Sequence, residues 1–407
     1  MPTIEYSLLI PTRNRLVTAE CLIRHVLEFF PANFEVVVQD CGEQGHLPAA
    51  LGSLMDDPRL SYQHTGQLVS MTENWNRGVA RCRGDYVTIL GDDDGVSREL
   101  PQIIRWMRAS GIDALVYNWN LAPYFWPGYP EAAKAGSYQM HRYSGEVAAY
   151  DTAAVLEEYV RTFGYASIRG LPCAYHGITR RRYLAEMMAT AGECFVGYTP
   201  DVYSMCFLGS RIPTTHWIDF PVFLPGTCAL SNSAKGLEGK SSAGHAAEYR
   251  GMDWPDLVPL GSIFQVYVAE GTVRGLLNAG RPDLVRRLKW ADFYLLCMLH
   301  DPAYRWKNLH RYWNHSGRVL GQGAPRRVVE VARALVRRLS GKVMGRTLAV
   351  DPALVNRSGT VFERFKDVTD TTQAVALQAE ALGRQGVIPP WRAQVESAAS
   401  AVPIGGR

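Results

Sequence analysis

Val87-Thr88-Ile89-Leu90-Gly91-Asp92-Asp93-Asp94-Gly95 is the stretch on which the reading of this chain turns. A β-branched and apolar run stops at a glycine and three consecutive carboxylates. Like charges side by side repel, and at the end of a buried strand they are costly unless a cation neutralises them. Carboxylates favour hard cations such as Mg²⁺ or Mn²⁺. A cation held by one or two carboxylates keeps coordination positions open for phosphate oxygens. The stretch therefore predicts a metal-assisted diphosphate site at a strand end. The competing reading is a solvated acidic turn.

The surroundings favour the site. Residues 1–120 alternate strand and helix signals. Tyr6–Ile10 is an apolar run stopped by Pro11, and Thr18–Phe30 has helical periodicity with Thr18 as N-cap. Phe34–Val38 is a second strand, Leu47–Met55 a short helix, and Leu60–His64 a third strand. Glu73–Arg83 reads as a helix closed by Gly84, Asp85–Leu90 as a fourth strand, Leu100–Ala109 as a helix and Asp113–Trp119 as a fifth strand. The alternation implies an α/β fold, a mostly parallel sheet with helices on both faces. Ligands of such sheets bind beyond the carboxyl ends of the strands. Thr12-Arg13-Asn14-Arg15, Asp40 and Asp92–Asp94 all fall at such ends.

The bulk properties are those of an ordinary soluble globular protein. The chain has 407 residues, 47% hydrophobic and 20% charged, and a formal net charge of +4. Its eight cysteines are scattered, with no Cys-x-x-Cys pair. That excludes a zinc ribbon or a dense disulfide framework and predicts reduced thiols, hence a cytoplasmic protein. Met1–Glu5 has no basic n-region, and no apolar run approaches the roughly 20 residues that span a bilayer.

Four ordered motifs resemble family 2 glycosyltransferases with the Rossmann-like GT-A fold. Ser7–Arg15 resembles the opening strand and nucleotide loop, and Val36-Val37-Val38-Gln39-Asp40 the second strand. Asn74-Trp75-Asn76-Arg77-Gly78 resembles the Asn/Arg-x-Gly helix start, and Gly84–Asp94 the metal-binding strand. The family's acid pair after the second strand is here Gln39-Asp40, and its Leu-Asp-x-Asp-Asp is here Leu90-Gly91-Asp92-Asp93-Asp94. The resemblance implies a GT-A catalytic domain over 1–250, divided into a nucleotide-sugar half at 1–120 and an acceptor half at 121–250. A helical region at 251–350 and a partly flexible tail at 351–407 follow.

It further implies an inverting glycosyltransferase that uses Mn²⁺ or Mg²⁺. The donor is a nucleoside-diphosphate sugar, UDP-linked, and the acceptor a glycan or lipid-linked saccharide. Pro11, Thr12, Arg13, Arg15, Asp40, Asn76, Arg77, Asp92 and Asp93 are the candidate donor-binding residues. Asp94, with Asp92, is the candidate metal ligand. The resemblance also implies an acid near the start of a later helix as general base. Asp201, in Thr199-Pro200-Asp201, fits that place, with Thr199 as cap and Pro200 as first helical residue. Glu193 is the reserve. The bland reading of Asp201 is a partner for the helix dipole.

Acceptor or loop roles fall to Trp119, Trp126, His176, Ser231, Asn232 and Lys235, aromatic rings being suited to sugar stacking and to core packing alike. Pro325–Arg346 is basic and amphipathic, with Val328, Ala332, Leu335, Leu339 and Val343 at helical spacing. It suits either the anionic inner face of a membrane, as a peripheral contact, or packing onto the catalytic domain. Basic residues elsewhere are too few for nucleic-acid binding. The aromatic-rich second half could supply a homodimer interface. Two other functions compete. A nucleotidyltransferase acting on sugar phosphates would favour a Gly-rich loop after the first strand, and Pro11–Arg15 has no glycine. A non-catalytic carbohydrate-binding scaffold would not need the triplet together with Asp201.

Overall fold

The computed structural model describes residues 3–43, 45–117, 123–162, 169–231, 253–261, 263–316, 320–321, 323–343 and 361–392. Its frame is an eight-stranded sheet of β1 (Tyr6–Thr12), β2 (Phe34–Asp40), β3 (Leu60–His64), β4 (Tyr86–Ile89), β6 (Ala114–Tyr117), β9 (Val147–Asp151), β10 (Ile178–Arg180) and β11 (Thr214–Ile218). The spatial order is β3-β2-β1-β4-β10-β6-β11-β9. The first four strands are parallel, as alternating helices require. β10 enters antiparallel between β4 and β6, and β9 is antiparallel to β11, so the sheet is mixed on that side. This is the helix-flanked, mostly parallel sheet of the GT-A expectation, followed by a helical region.

Side chains alternate across the sheet and build two cores. Leu8, Ile10, Val36 and Val38 pack with helices α1 (Leu16–Phe29) and α4 (Leu100–Ala109), α2 (Leu47–Leu51) lying at the edge. Leu9, Val37, Val87 and Ile89 face α3 (Met71–Val79), α6 (Arg181–Ala191) and α7 (Pro200–Gly209). A third core joins α5 (Thr152–Thr162) and the other side of α7 to the C-terminal helices α8 (Phe264–Asn278), α9 (Pro282–Arg287) and α10 (Trp290–His300). Helices α11 (Arg305–Arg311) and α12 (Ala324–Val343) follow.

Several boundaries differ from the sequence reading. Pro11 does not stop β1, which runs to Thr12. The Leu9 carbonyl is bonded from the β4 side and the Thr12 carbonyl from the β2 side. By alternation Pro11 faces the β4 side, where the pairing has ended at Leu9↔Ile89 and no donor is needed. Thr18 is not a cap but lies inside α1, its hydroxyl donating to the Arg15 carbonyl at 3.1 Å. The cap of α3 is Ser70, which accepts the Glu73 N–H, and this helix ends at Val79, well before Gly84.

The largest difference concerns the tail. β14 (Val361–Phe365) pairs with β8 (Ser137–His141), in a small sheet with β7 (Tyr124–Phe125) and β13 (Gly226–Thr227). Helix α13 (Thr371–Gln385) then packs on α1, and Val375, Leu382, Val387 and Trp391 join the first core. Residues 361–392 thus pack into the first core with the N-terminal sheet rather than forming an appended tail. The remaining short strands, β5 (Gly95–Val96) and β12 (Phe223–Leu224), pair with each other and bring residues 221–228 against the acidic triplet.

Candidate active site

Three parallel strands end on one edge. Thr12 of β1 and Asp40 of β2 are register partners, and β4 passes from the Leu9↔Ile89 pair into Leu90–Asp94. The three carboxylates are buried and have different sets of partners. Asp92 Oδ2 accepts the Thr12 hydroxyl at 2.5 Å, and its Oδ1 lies 2.7 Å from the Arg15 guanidinium. Asp93 Oδ1 lies 3.1 Å from the same Arg15 nitrogen, and its Oδ2 accepts the Cys228 N–H at 3.1 Å. Asp94 Oδ2 accepts the Gly91 N–H at 2.8 Å and meets His176 Nε2 at 2.8 Å, while its Oδ1 accepts the Gly226 N–H at 2.7 Å. Only glycine fits at 226, because a Cβ there would stand 1.7 Å from the Asp93 carbonyl oxygen.

Burial pushes the Asp92 carboxyl up to about 7, against the pull of Arg15 and with the help of Asp93. Burial likewise raises Asp94, opposed by His176. Burial works against the charge on Arg15, but Asp92 and Asp93 more than offset it and hold the guanidinium charged.

His176 was expected among acceptor or loop residues, and it lies against the triplet instead. Its φ of 56° is a left-handed conformation that a non-glycine residue adopts at a cost of about 1–3 kcal/mol. Segment 174–176 is bonded to the end of β4 on both sides of that turn, Ile89 N–H to Ala174 and His176 N–H to Ile89. The turn leaves the imidazole between Asp94 and Tyr117, whose hydroxyl is 3.0 Å from Nδ1.

Asp201 occupies the first turn of α7, with Pro200 opening the helix as expected. Thr199 makes no capping bond, because its hydroxyl donates to the Tyr267 carbonyl at 3.0 Å. Burial raises the Asp201 carboxyl, while the N–H groups of Val202 and Asp201 and the charge of His176 oppose the shift.

Asp40 is held by the Gly42 N–H at 2.7 Å and the Tyr62 hydroxyl at 3.0 Å. It lines a cleft of about 330 Å³ with Thr12, Asn14, Arg15, Glu43 and His46. Thr12 and Arg15 belong to both cleft and triplet, so the two form one continuous site. Pro11 and Arg13 flank it on β1 and the following loop, both half-buried.

Other candidates lie elsewhere. The Asn76 amide is bonded to both backbone groups of Phe195 and to Glu193, and it pins that segment to α3. Arg77 pairs with Glu73 on the exposed face of the same helix. Trp126 is buried, its indole N–H donating to the Asp93 carbonyl at 2.7 Å, so it braces the triplet rather than offering a stacking face. Ser231 is buried and donates to the Cys228 carbonyl. Trp119, Asn232 and Lys235 lie outside the described residues. Sequence reasoning missed Tyr117, Gly226 and Cys228. They carry no local signature, except that Gly226 follows a proline at the end of an apolar run.

No group of three or more His, Cys, Asp or Glu among the described residues is arranged to hold a metal alone. The donor set still fits a hard cation. Each carboxylate oxygen accepts at two positions, so Asp94 Oδ1 keeps one beside its single N–H partner. One or two carboxylates with phosphate oxygens and water are the usual set for Mg²⁺.

Residues 7–161 match the Glycosyl transferase family 2 model. That region is similar to family 2 glycosyltransferases. The match includes β1, β2, β4 and the triplet, while His176 and Asp201 lie beyond it. Among solved structures, S. aureus TarS is 14% identical at a TM-score of 0.45, over 86% of this chain and 55% of that one. The chain thus spans about half the length of that TarS chain. TarS 1–349 is 16% identical at a TM-score of 0.44, over 79% of this chain and 93% of that one. TarS 1–349 in complex with UDP-GlcNAc is 13% identical at 0.38, over 94% and 92%. No curated protein matches the sequence significantly.

Proposed function

We propose that the protein is an inverting, metal-dependent glycosyltransferase that moves a sugar from a UDP-sugar to a glycan or lipid-linked acceptor in the cytoplasm. The observation that carries this reading is the meeting of the buried triplet, Thr12, Arg15 and the Asp40 cleft on one strand edge, with Asp201 in the first turn of α7 as the candidate base. The cleft takes the nucleoside, with Asp40 toward the base and Asp92 or Asp93 toward the ribose. Asp94, with Asp92, would hold Mn²⁺ or Mg²⁺, which when bound supplies Lewis-acid neutralisation of the leaving diphosphate. Arg15 adds a fixed positive charge beside the same phosphates.

The acceptor hydroxyl oxygen attacks the anomeric carbon as Asp201 takes its proton, and the bond from that carbon to the diphosphate oxygen breaks. A single displacement inverts the configuration. The raised Asp201 carboxyl is the stronger base for it. We also read the exposed face of α12 and α11 as a peripheral contact to an anionic membrane.

Two substitutions test the assignment, with UDP as probe because TarS 1–349 has been crystallised with UDP. Asp94→Ala should abolish Mn²⁺-dependent UDP binding in calorimetry, and an unchanged affinity rejects the metal role. Asp201→Asn should keep UDP binding and slow transfer by about 10²–10⁴-fold. Turnover within a few-fold of wild type rejects the base.

A further inference from the structure

The lead-in to α7 is held from outside the site by the C-terminal helical region. Helix α8 crosses α7 in close backbone contact, since a Cβ on Gly275 would stand 2.5 Å from the Tyr203 carbonyl oxygen. On the same helix Glu270 has no solvent exposure. Its Oε2 accepts the Tyr198 N–H at 3.1 Å, and its Oε1 pairs with Arg274 one turn later. The flanking residues are held too. The Gly197 carbonyl accepts the Thr72 hydroxyl at 2.7 Å, and the Thr199 hydroxyl donates to Tyr267 of α8 at 3.0 Å. Residues 197, 198 and 199 are therefore each anchored, and Asp201 follows two positions later.

A carboxylate buried this completely is costly, and a neutral side chain of the same shape would satisfy one N–H at lower cost. Two features offset the penalty, the Arg274 ion pair and the position at the N-terminal end of α7, where the helix dipole favours an anion. Glu270 touches neither the triplet nor the nucleotide cleft. Its bond acts on the three-residue segment that sets the direction in which α7 begins, and so on where its first-turn carboxylate points.

We propose that Glu270 is a positioning residue for the catalytic carboxylate Asp201, acting through the Tyr198 N–H. The inference rests on the reading of Asp201 as general base. It makes α8 a working part of the catalytic unit, on which the acceptor-side geometry depends, while the donor side gathers at the ends of β1, β2 and β4.

The test is a kinetic cycle on the full chain with UDP-sugar donor. Glu270→Gln should lower kcat by about 10- to 100-fold, the range a small misplacement of a catalytic group produces. Donor KM and calorimetric UDP affinity should stay at wild-type values. Asp201→Asn and the Asp201→Asn/Glu270→Gln double variant should share the same residual turnover, because a positioning effect vanishes with the group positioned. If Glu270→Gln loses UDP binding through misfolding, Thr199→Val, which removes the neighbouring anchor, should show the same fall in kcat at constant KM. Wild-type kcat in the variant that folds, or losses that multiply in the double variant, overturn the positioning role alone. Near-wild-type turnover by Asp201→Asn overturns the base and the inference together.

Discussion

Asp92, Asp93 and Asp94 are consecutive in the chain yet serve different partners, and this division follows from where the strand ends. Asp92 and Asp93 share Arg15, and Asp94 turns to His176 and Gly226. Such buried like charges have a measurable signature. Asp92, pushed up to about 7, binds its proton more tightly folded than unfolded. The associated stability is therefore fully present below the ordinary carboxylate value of about 3.9 and is lost as pH rises through about 7. In chelator, wild type should melt progressively lower relative to Asp92→Asn as pH rises from about 4 to about 8. A pH-independent difference in thermal melts rejects this. At this scale the placement of the triplet, Thr12, Arg15, Asp40 and Asp201 at strand ends and a helix start was legible. The partners of Asn76 and Trp126 were not, since a motif match does not tell which way an amide or an indole points.

At the scale of elements, helices and strands with strong periodicity were found close to their observed bounds, while the connections were not. β10 inserts antiparallel because residues 173–180 return along β4, a long-range pairing with no local signature. The segment at 361–392 is the clearest case. Its helix is polar on one face and small on the other, and it reads as a tail until its apolar side is seen in the first core. Trp391 is buried there, its ring 5.1 Å from Phe220 and its indole N–H on Glu99 at 2.8 Å. Trp391→Ala should cost about 3–5 kcal/mol, measured by urea unfolding. A loss below about 1 kcal/mol would mean that the C-terminal segment is dispensable to the core. The same packing predicts that removing residues 361–407 destabilises the whole catalytic domain, so surface functions are better probed by point substitution.

For the whole molecule, the question is what lies against the C-terminal helices. No helix among the described residues is long and apolar enough to cross a membrane. The stripe Val328–Ala332–Leu335, readable from its spacing, is turned outward. α12 rests on its Ala334 side and on an Arg337–Asp292 pair instead. On the neighbouring segments Trp306 of α11 is 78% exposed and Val328 of α12 55%, and Arg327 lies over the Trp313 ring at 4.8 Å. Lys307, Arg326 and Arg333 on the same two helices are exposed. Exposed tryptophan beside Arg and Lys suits an anionic bilayer surface. The protein should float with phosphatidylcholine vesicles that contain phosphatidylglycerol, less so as salt is raised, and Trp306→Ala/Trp313→Ala should weaken it several-fold. Unchanged flotation, or a sedimenting dimer dissolved by the same pair of substitutions, rejects the membrane contact.

Local chemistry along the chain accounts for the alternating α/β pattern, the parallel half of the sheet and the edge on which the acids gather. These follow from side-chain periodicity and from where a strand or helix must end, and each acts within a few residues. Long-range packing accounts for the rest: the antiparallel β10, the C-terminal segment in the first core, His176 on Asp94 and Glu270 behind Asp201. Those contacts join residues tens to hundreds of positions apart, and their free energy comes from shared burial and hydrogen bonding that exist only once the chain has closed on itself.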